Sequence, residues 1–133
     1  MNFWDRVAGL YDWVELTNRR VNSAAAVRVA RLVPEGAKVL DCAAGTGLFA
    51  LAAARRADSV LCTDLSQAML SRAEKKACKQ GLSNICFAVR DLTALPEGNG
   101  SFDVVIAATG APIRVRKSSI WSLCLKYVMK LPL

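Results

Sequence analysis

The chain has 133 residues, of which 53% are hydrophobic and 22% charged, enough apolar material for one buried core, and this excludes a disordered protein. The net charge of +7 comes mostly from the segment after Asp103, which has five basic and no acidic residues, so nucleic acid is not the expected partner. The chain has no histidine, which excludes Ser-His-Asp triads, and its five cysteines include no C-x-x-C pair, so neither a disulfide framework nor a metal site is expected.

No transmembrane segment is expected either. The longest apolar run covers residues 48–54, far short of the roughly 18 residues that a membrane-spanning helix needs. Residues 1–20 also lack the basic-then-apolar pattern of a secretion leader. We therefore predict a cytoplasmic protein.

The predicted elements begin with two helices within residues 1–33, the second an alanine-rich segment at residues 21–32. Pro34 and Gly36 end this helical region. From residue 37 onwards the pattern alternates, with Ser66 as the expected N-cap of one helix and Gly81 as its end. Strands are predicted at residues 38–40, 59–63, 85–89 and 102–107, and helices at residues 48–56 and 67–80.

Strands that alternate with helices predict βαβ crossovers. The expected fold is therefore α/β, a Rossmann-like and mostly parallel sheet with flanking helices that ends after about the fourth strand. Residues 1–110 are predicted to form one domain, with N-terminal helices at residues 1–33 and a βα core at residues 37–110.

Residues 111–133 form an atypical basic tail. Ser118 or Ser119 can cap a helix that runs through Val128 and covers the exposed edge of the fourth strand. Two alternatives stay open: contact of the tail with an anionic membrane surface or nucleic acid, and a non-native tail that results from truncation, splicing or a frame change.

The main candidate for a binding site is the loop at residues 43–47, Ala-Ala-Gly-Thr-Gly, which follows the first strand closely. Gly45 and Gly47 permit positive φ and close approach of a ligand, and the next helix offers its positive end to an anionic group. Alone the loop is ambiguous, because residues 45–50 also fit the G-x-G-x-x-G/A pattern of dinucleotide-binding proteins. A compact turn without a ligand fits it as well.

Aspartates stand at the ends of three successive predicted strands, at Asp41, Asp64 and Asp91. Ligands of open α/β sheets bind beyond the carboxyl ends of the strands. Asp64 can accept hydrogen bonds from both hydroxyls of a ribose, which serves NAD and S-adenosylmethionine equally, whereas Asp91 can receive the exocyclic amine of an adenine. Each aspartate alone fits a helix cap or a solvated loop, but the three together favour an adenosine ligand.

Two segments around these aspartates resemble the class I S-adenosylmethionine-dependent methyltransferases, most closely the small-molecule branch of ubiquinone and menaquinone biosynthesis. Residues 39–47 are similar to the family's D-x-G-x-G-x-G motif, with Ala43 in place of the first glycine, a departure expected to cost little. Residues 62–70 resemble its D-x-S-x-x-M-L segment. The resemblance covers residues 2–109, so the C-terminal part of the family fold is expected to be missing.

The resemblance implies S-adenosylmethionine as the cofactor and S-adenosylhomocysteine as the product. It implies that the Asp41 and Gly45 region holds the methionine part, Asp64 the ribose, and Leu65 one face of the adenine. It also implies that Tyr11 helps to cover the cofactor, although Tyr11 could equally well pack a helix on the sheet. The expected cofactor-binding residues are Tyr11, Asp41, Ala43, Gly45, Gly47, Asp64, Leu65, Asp91 and Leu92.

The expected function is methyl transfer to a small organic acceptor, with the cofactor half present and the acceptor half largely absent. A sulfonium methyl is already activated, so a chain without histidine can transfer it if it orients the reactants and excludes water. No catalytic base is assigned. The alternatives are a non-catalytic, regulatory module that pairs with a homologous or different chain through an incomplete sheet edge, and an NAD-binding oxidoreductase.

Overall fold

The computed structural model describes residues 3, 5–10, 19–91, 94–97, 100–107 and 124–130. Residues 5–10 are helical and are called α1. The other helices and the strands follow in the order α2 (Arg19–Leu32), β1 (Lys38–Cys42), α3 (Leu48–Ala54), β2 (Ser59–Asp64), α4 (Gln67–Lys79), β3 (Ile85–Val89), β4 (Phe102–Ala107) and β5 (Cys124–Lys130).

The strands form one sheet in the order β3-β2-β1-β4-β5, and every neighbouring pair is parallel. The last four residues of β1 and of β4 are buried and, apart from Asp41, apolar, as expected for strands that are covered on both faces. Because all strands run the same way, their carboxyl ends meet at one edge of the sheet. The predicted Rossmann-like, mostly parallel fold is confirmed.

The core lies on both faces of this sheet. The larger cluster packs α2, α3 and α4 against one face, where Val39, Val60 and Val104 are at most 2% exposed. On the opposite face the alternate residues Leu40 and Val105 are fully buried. Successive residues of β1 and β4 therefore serve different faces, which follows from the two-residue period of a strand.

The ends of α4 are formed as the sequence predicts. The Ser66 hydroxyl accepts a hydrogen bond from the Met69 N–H at 3.1 Å and so caps the helix. After α4, Gly81 has a φ of +68°, a left-handed conformation that commonly ends a helix.

The tail differs from its prediction. Residues 124–130 form the strand β5, parallel to β4 with a register shift between Phe102 and Val104. The helix expected to run through Val128 is therefore wrong over these residues, while Ser118 and Ser119 lie outside the described part of the chain. An open edge of β4 offers unpaired backbone donors and acceptors, and a strand satisfies them where a helix could only cover them.

Within the described ranges no helix is both long enough and apolar enough to cross a membrane. Nor do the residues that the structure describes bring three or more metal-ligating side chains together.

Candidate functional site

The loop between β1 and α3 is held in an unusual backbone conformation. Ala43, Gly45 and Gly47 have φ values of +53°, +59° and +86°, all in the left-handed region. The loop is tied to β2 because the Ala44 N–H donates to the Thr63 carbonyl at 2.8 Å. The Thr63 hydroxyl in turn donates to the Asp41 carbonyl at 2.8 Å. The turn is therefore fixed from the neighbouring strand as well as by its own glycines.

Gly47 is required for packing as well as for the turn. A Cβ atom at this position would lie 2.9 Å from the Cβ of Ala73 in α4, closer than two such atoms approach in real proteins. Gly47 thus allows the start of α3 to lie against α4, and the position of the loop over the sheet depends on this contact.

Asp64, at the end of β2, is hydrogen-bonded to the loop that follows β1. The residue is only 9% exposed, and both carboxylate oxygens accept backbone hydrogen bonds, Oδ2 from the Gly45 N–H at 2.8 Å and Oδ1 from the Ser66 N–H at 2.9 Å. A carboxylate has about four lone-pair sites, so these bonds leave capacity for ligand hydroxyls. The sequence placed Asp64 at the strand end but did not reveal its bond to the glycine loop.

Asp41 is the most unusual group of the site. It is 1% exposed, and neither carboxyl oxygen has a hydrogen-bond partner among the residues that the structure describes. Burial raises the pKa of Asp41 well above its ordinary value and nearby Asp64 raises it further, while the Ala50 backbone N–H partly offsets both. That N–H contributes electrostatically without satisfying hydrogen-bond geometry. Unpartnered buried carboxyl groups are rare in native proteins.

Ala43 stands where the methyltransferase motif has a glycine, and it is the one non-glycine residue with positive φ in the described ranges. This conformation costs an L-residue about 1–2 kcal/mol because its Cβ approaches the following carbonyl oxygen. Alanine in place of the motif's glycine at position 43 therefore costs more stability than the sequence alone predicts.

The second and third strand ends carry exposed apolar side chains. Leu65 directly follows β2 and is 53% exposed, and Val89, which pairs with Asp64 across the sheet, is 44% exposed. Asp91 lies two residues beyond Val89 and is exposed. Tyr11 and Leu92 lie outside the described residues. Val89 was not predicted as a site residue, since in the sequence it reads as one more strand position.

A parallel sheet whose first strand enters a left-handed glycine loop, with a buried carboxylate at the end of the second strand, is typical of the Rossmann-like class of proteins, which bind nucleotides and related cofactors at this edge. Residues 39–125 match the family described as methyltransferase domain, and the chain belongs to that family. The resemblance carried by residues 39–47 and 62–70 is thereby confirmed at the family level.

Known proteins agree with this assignment. An uncharacterized protein of Mycobacterium tuberculosis is 40% identical over 75 residues, which are 56% of this chain and 27% of that protein. A demethylmenaquinone methyltransferase of Bacteroides fragilis is 36% identical over 76 residues, 55% of this chain and 31% of the enzyme. The chain thus spans less than a third of the length of these two relatives.

Among solved structures, a protein of Methanococcus maripaludis proposed to be an S-adenosyl-L-methionine-dependent methyltransferase aligns with a TM-score of 0.78. The alignment covers 98% of this chain and 65% of that one at 17% identity. This likeness establishes the common fold.

Proposed function

We propose that the chain binds S-adenosylmethionine at the carboxyl ends of β1, β2 and β3 and supports methyl transfer to a small organic acceptor. The observation that carries the proposal is Asp64, a buried carboxylate held by the N–H groups of Gly45 and Ser66 at a strand end of a methyltransferase-family domain. A carboxylate oriented in this way suits a ribose diol, since each hydroxyl can donate to one oxygen.

The surrounding residues fit the rest of the cofactor. The unpartnered Asp41 carboxyl and the Asp64 carboxylate place acidic groups beside the loop, which suits a ligand that carries a sulfonium and an ammonium group. The exposed side chains of Leu65 and Val89 offer apolar surface at the same edge for an adenine ring. When bound, the cofactor supplies a methyl group that is already activated by the sulfonium charge.

The proposed class of acceptor is supported by the similarity to the demethylmenaquinone methyltransferase, which covers 55% of this chain. In-line transfer requires mainly that the reactants be oriented and that water be excluded. The described residues of this chain would hold the cofactor side of that arrangement. Tyr11 and Leu92 remain proposed contacts, together with Ala43, Gly47 and Asp91.

Calorimetric titration with S-adenosylhomocysteine tests the cofactor assignment. We expect wild-type binding and a loss of about tenfold or more in Asp64→Asn, because an amide can accept through one oxygen only. Asp58→Asn is the matched control, since Asp58 is exposed in the turn before β2. If the wild-type protein binds NAD but not S-adenosylhomocysteine, the proposal is wrong and the oxidoreductase alternative is favoured.

A second measurement tests the transfer itself. Methyl-labelled S-adenosylmethionine and a soluble naphthohydroquinone should give labelled ether or ring-methylated product, depending on the acceptor atom. Cofactor binding without any transfer to acceptors of this class would favour the non-catalytic module over the enzyme.

A further inference from the structure

The N-terminal helix α1 packs on α4, the helix that follows Asp64. Ala8 of α1 is 2% exposed, and a Cβ added at Gly9 would lie 3.2 Å from a guanidinium nitrogen of Arg72 in α4. One turn earlier, Asp5 reaches the beginning of α4. Its Oδ1 atom accepts hydrogen bonds from the Ser66 hydroxyl at 2.5 Å and from the Ala68 N–H at 3.2 Å.

Both the side chain and the backbone N–H of Ser66 are hydrogen-bonded. Its hydroxyl donates to Asp5 and accepts from the Met69 N–H, so the side chain has one orientation. Its own N–H donates to the Oδ1 atom of Asp64 at 2.9 Å. The other Asp64 oxygen accepts the Gly45 N–H at 2.8 Å. A continuous series of hydrogen bonds thus links α1 to the glycine loop.

We infer that Asp5 is a positioning residue of the cofactor site, which acts through Ser66 to orient the Asp64 carboxylate. The docking of α1 on α4 and the ordering of the glycine loop are then coupled. A negative charge at the first turn of α4 also stabilises the helix end that carries the Ser66 N–H. The role of Asp5 in ligand binding rests on the proposed function, but the coupling exists without ligand.

Amide hydrogen exchange on the ligand-free protein tests the coupling directly. In Asp5→Ala we expect the Gly45 and Ser66 amides to exchange about five- to tenfold faster, the size expected when a cap is lost. Asp5→Asn should retain most of the protection, because its amide oxygen can still accept both bonds. Asp58→Ala is the control for removal of an exposed acidic residue.

The pattern of exchange separates positioning from simple capping. Loss of a cap alone would expose only the Ala68 and Met69 amides within α4, whereas positioning also affects Gly45, which lies on another loop. Unchanged Gly45 exchange in Asp5→Ala, compared with Asp58→Ala, would overturn the inference. If Asp5→Ala does not fold, Ser66→Ala removes the intervening hydroxyl and should likewise accelerate exchange at Gly45; normal exchange there would overturn the inference equally.

Titration with S-adenosylhomocysteine supplies the functional readout. Asp5→Ala should bind about tenfold more weakly, and Asp5→Asn should recover most of the affinity. Unaltered affinity in Asp5→Ala would refute the role of Asp5 in the cofactor site. Failure of the wild type to bind S-adenosylhomocysteine would count against the proposed function alone, because the exchange measurement decides the coupling independently.

Discussion

At the scale of single residues, the site is dominated by two aspartates of opposite character. Asp64 has both oxygens hydrogen-bonded by backbone N–H groups, whereas Asp41 is more deeply buried and has no such partner within the described part of the chain. The Asp64 carboxylate is thus oriented by the protein's own backbone. The other carboxyl group has no counterpart among the residues that the structure describes.

The burial of Asp41 predicts a pH-dependent stability. Its folded-state pKa lies above the ordinary value of 3.8, so the folded protein holds the proton more tightly than the unfolded chain does. The free energy of unfolding should therefore fall as the pH rises from about 4 through the raised pKa. Asp41→Asn cannot ionise and should melt roughly 3 °C or more above wild type at neutral pH.

Thermal unfolding at several pH values checks this expectation. The advantage of Asp41→Asn should shrink towards acidic pH, and Asp58→Asn should show no comparable trend. A constant difference between Asp41→Asn and wild type across the pH range would contradict the assignment. The same variant should bind S-adenosylhomocysteine more weakly, because stability and ligand affinity make opposite demands at this position.

Ala43 leads to a second prediction at this scale. Ala43→Gly relieves a left-handed conformation worth about 1–2 kcal/mol, while the added freedom of the unfolded chain takes back about 0.5–1 kcal/mol. We expect a net gain of up to about 1.5 kcal/mol in urea unfolding. The control Ala44→Gly has no positive φ to relieve and should lose stability, so a loss in both variants would argue against strain at Ala43.

From the sequence, candidate site residues could be proposed where the residue type is diagnostic, but not where the role depends on the hydrogen-bond partners. Asp64 and Gly45 were predicted because a strand end and a glycine loop have recognisable patterns. The role of Asp5 was not, since its bonds to Ser66 and Ala68 join residues more than 60 positions apart. The lack of hydrogen bonds to Asp41 was equally hidden, because it depends on where every neighbouring donor lies.

At the scale of elements, the start of α3 lies in close contact with α4 at Gly47 and Ala73. Gly47→Ala should combine the cost of a left-handed alanine with a clash against Ala73, for a loss of about 2–4 kcal/mol. Gly36→Ala is the matched control, because Gly36 has a φ of +75° but no atom near its missing Cβ. It should lose only about 1–2 kcal/mol.

Denaturant unfolding of the two alanine variants measures the difference between them. That difference isolates the contact with Ala73 from the backbone strain that both variants share. Equal losses would mean that α4 moves aside at little cost, contrary to the close packing described above.

The elements also show where sequence patterns are sufficient. β1 to β4 lie where alternating apolar runs and turns predict them, because buried parallel strands have compact, strongly apolar patterns. β5 was predicted as a helix since its residues are also compatible with helical spacing. Its conformation depends on the edge of β4, which only the assembled sheet provides.

At the scale of the whole molecule, the candidate site and the hydrogen bonds that hold the opposite turns lie at different ends of the parallel sheet. At the amino end, the Asn84 side chain donates to the carbonyls of Ala54 and Ala57 at 2.7 and 3.0 Å, and the Lys38 N–H donates to Asp103 at 3.0 Å. These bonds hold the turns opposite the site. Those proposed cofactor residues that the structure describes lie at the other end.

This separation predicts that stability and binding can be changed independently. Asn84→Ala should cost about 1–2 kcal/mol of unfolding free energy by removing two hydrogen bonds. Its affinity for S-adenosylhomocysteine should stay within about twofold of wild type, because the site is distant. Asp64→Asn should lose affinity with little change in unfolding free energy. If Asn84→Ala loses both stability and affinity, the two ends of the sheet are not independent. Association through a sheet edge stays a prediction.

The neighbouring strands β1 and β2 contain two buried cysteines that can report on the opening of the sheet. Cys42 on β1 and Cys62 on β2 are buried, and burial raises the pKa of the Cys42 thiol to about 12 and that of the Cys62 thiol further. Cys78 and Cys86 are exposed. Because the thiolate is the reactive form, a maleimide should modify the exposed pair promptly and reach the buried pair only when the middle of the sheet opens. The slow phase of alkylation would then measure the lifetime of the folded sheet.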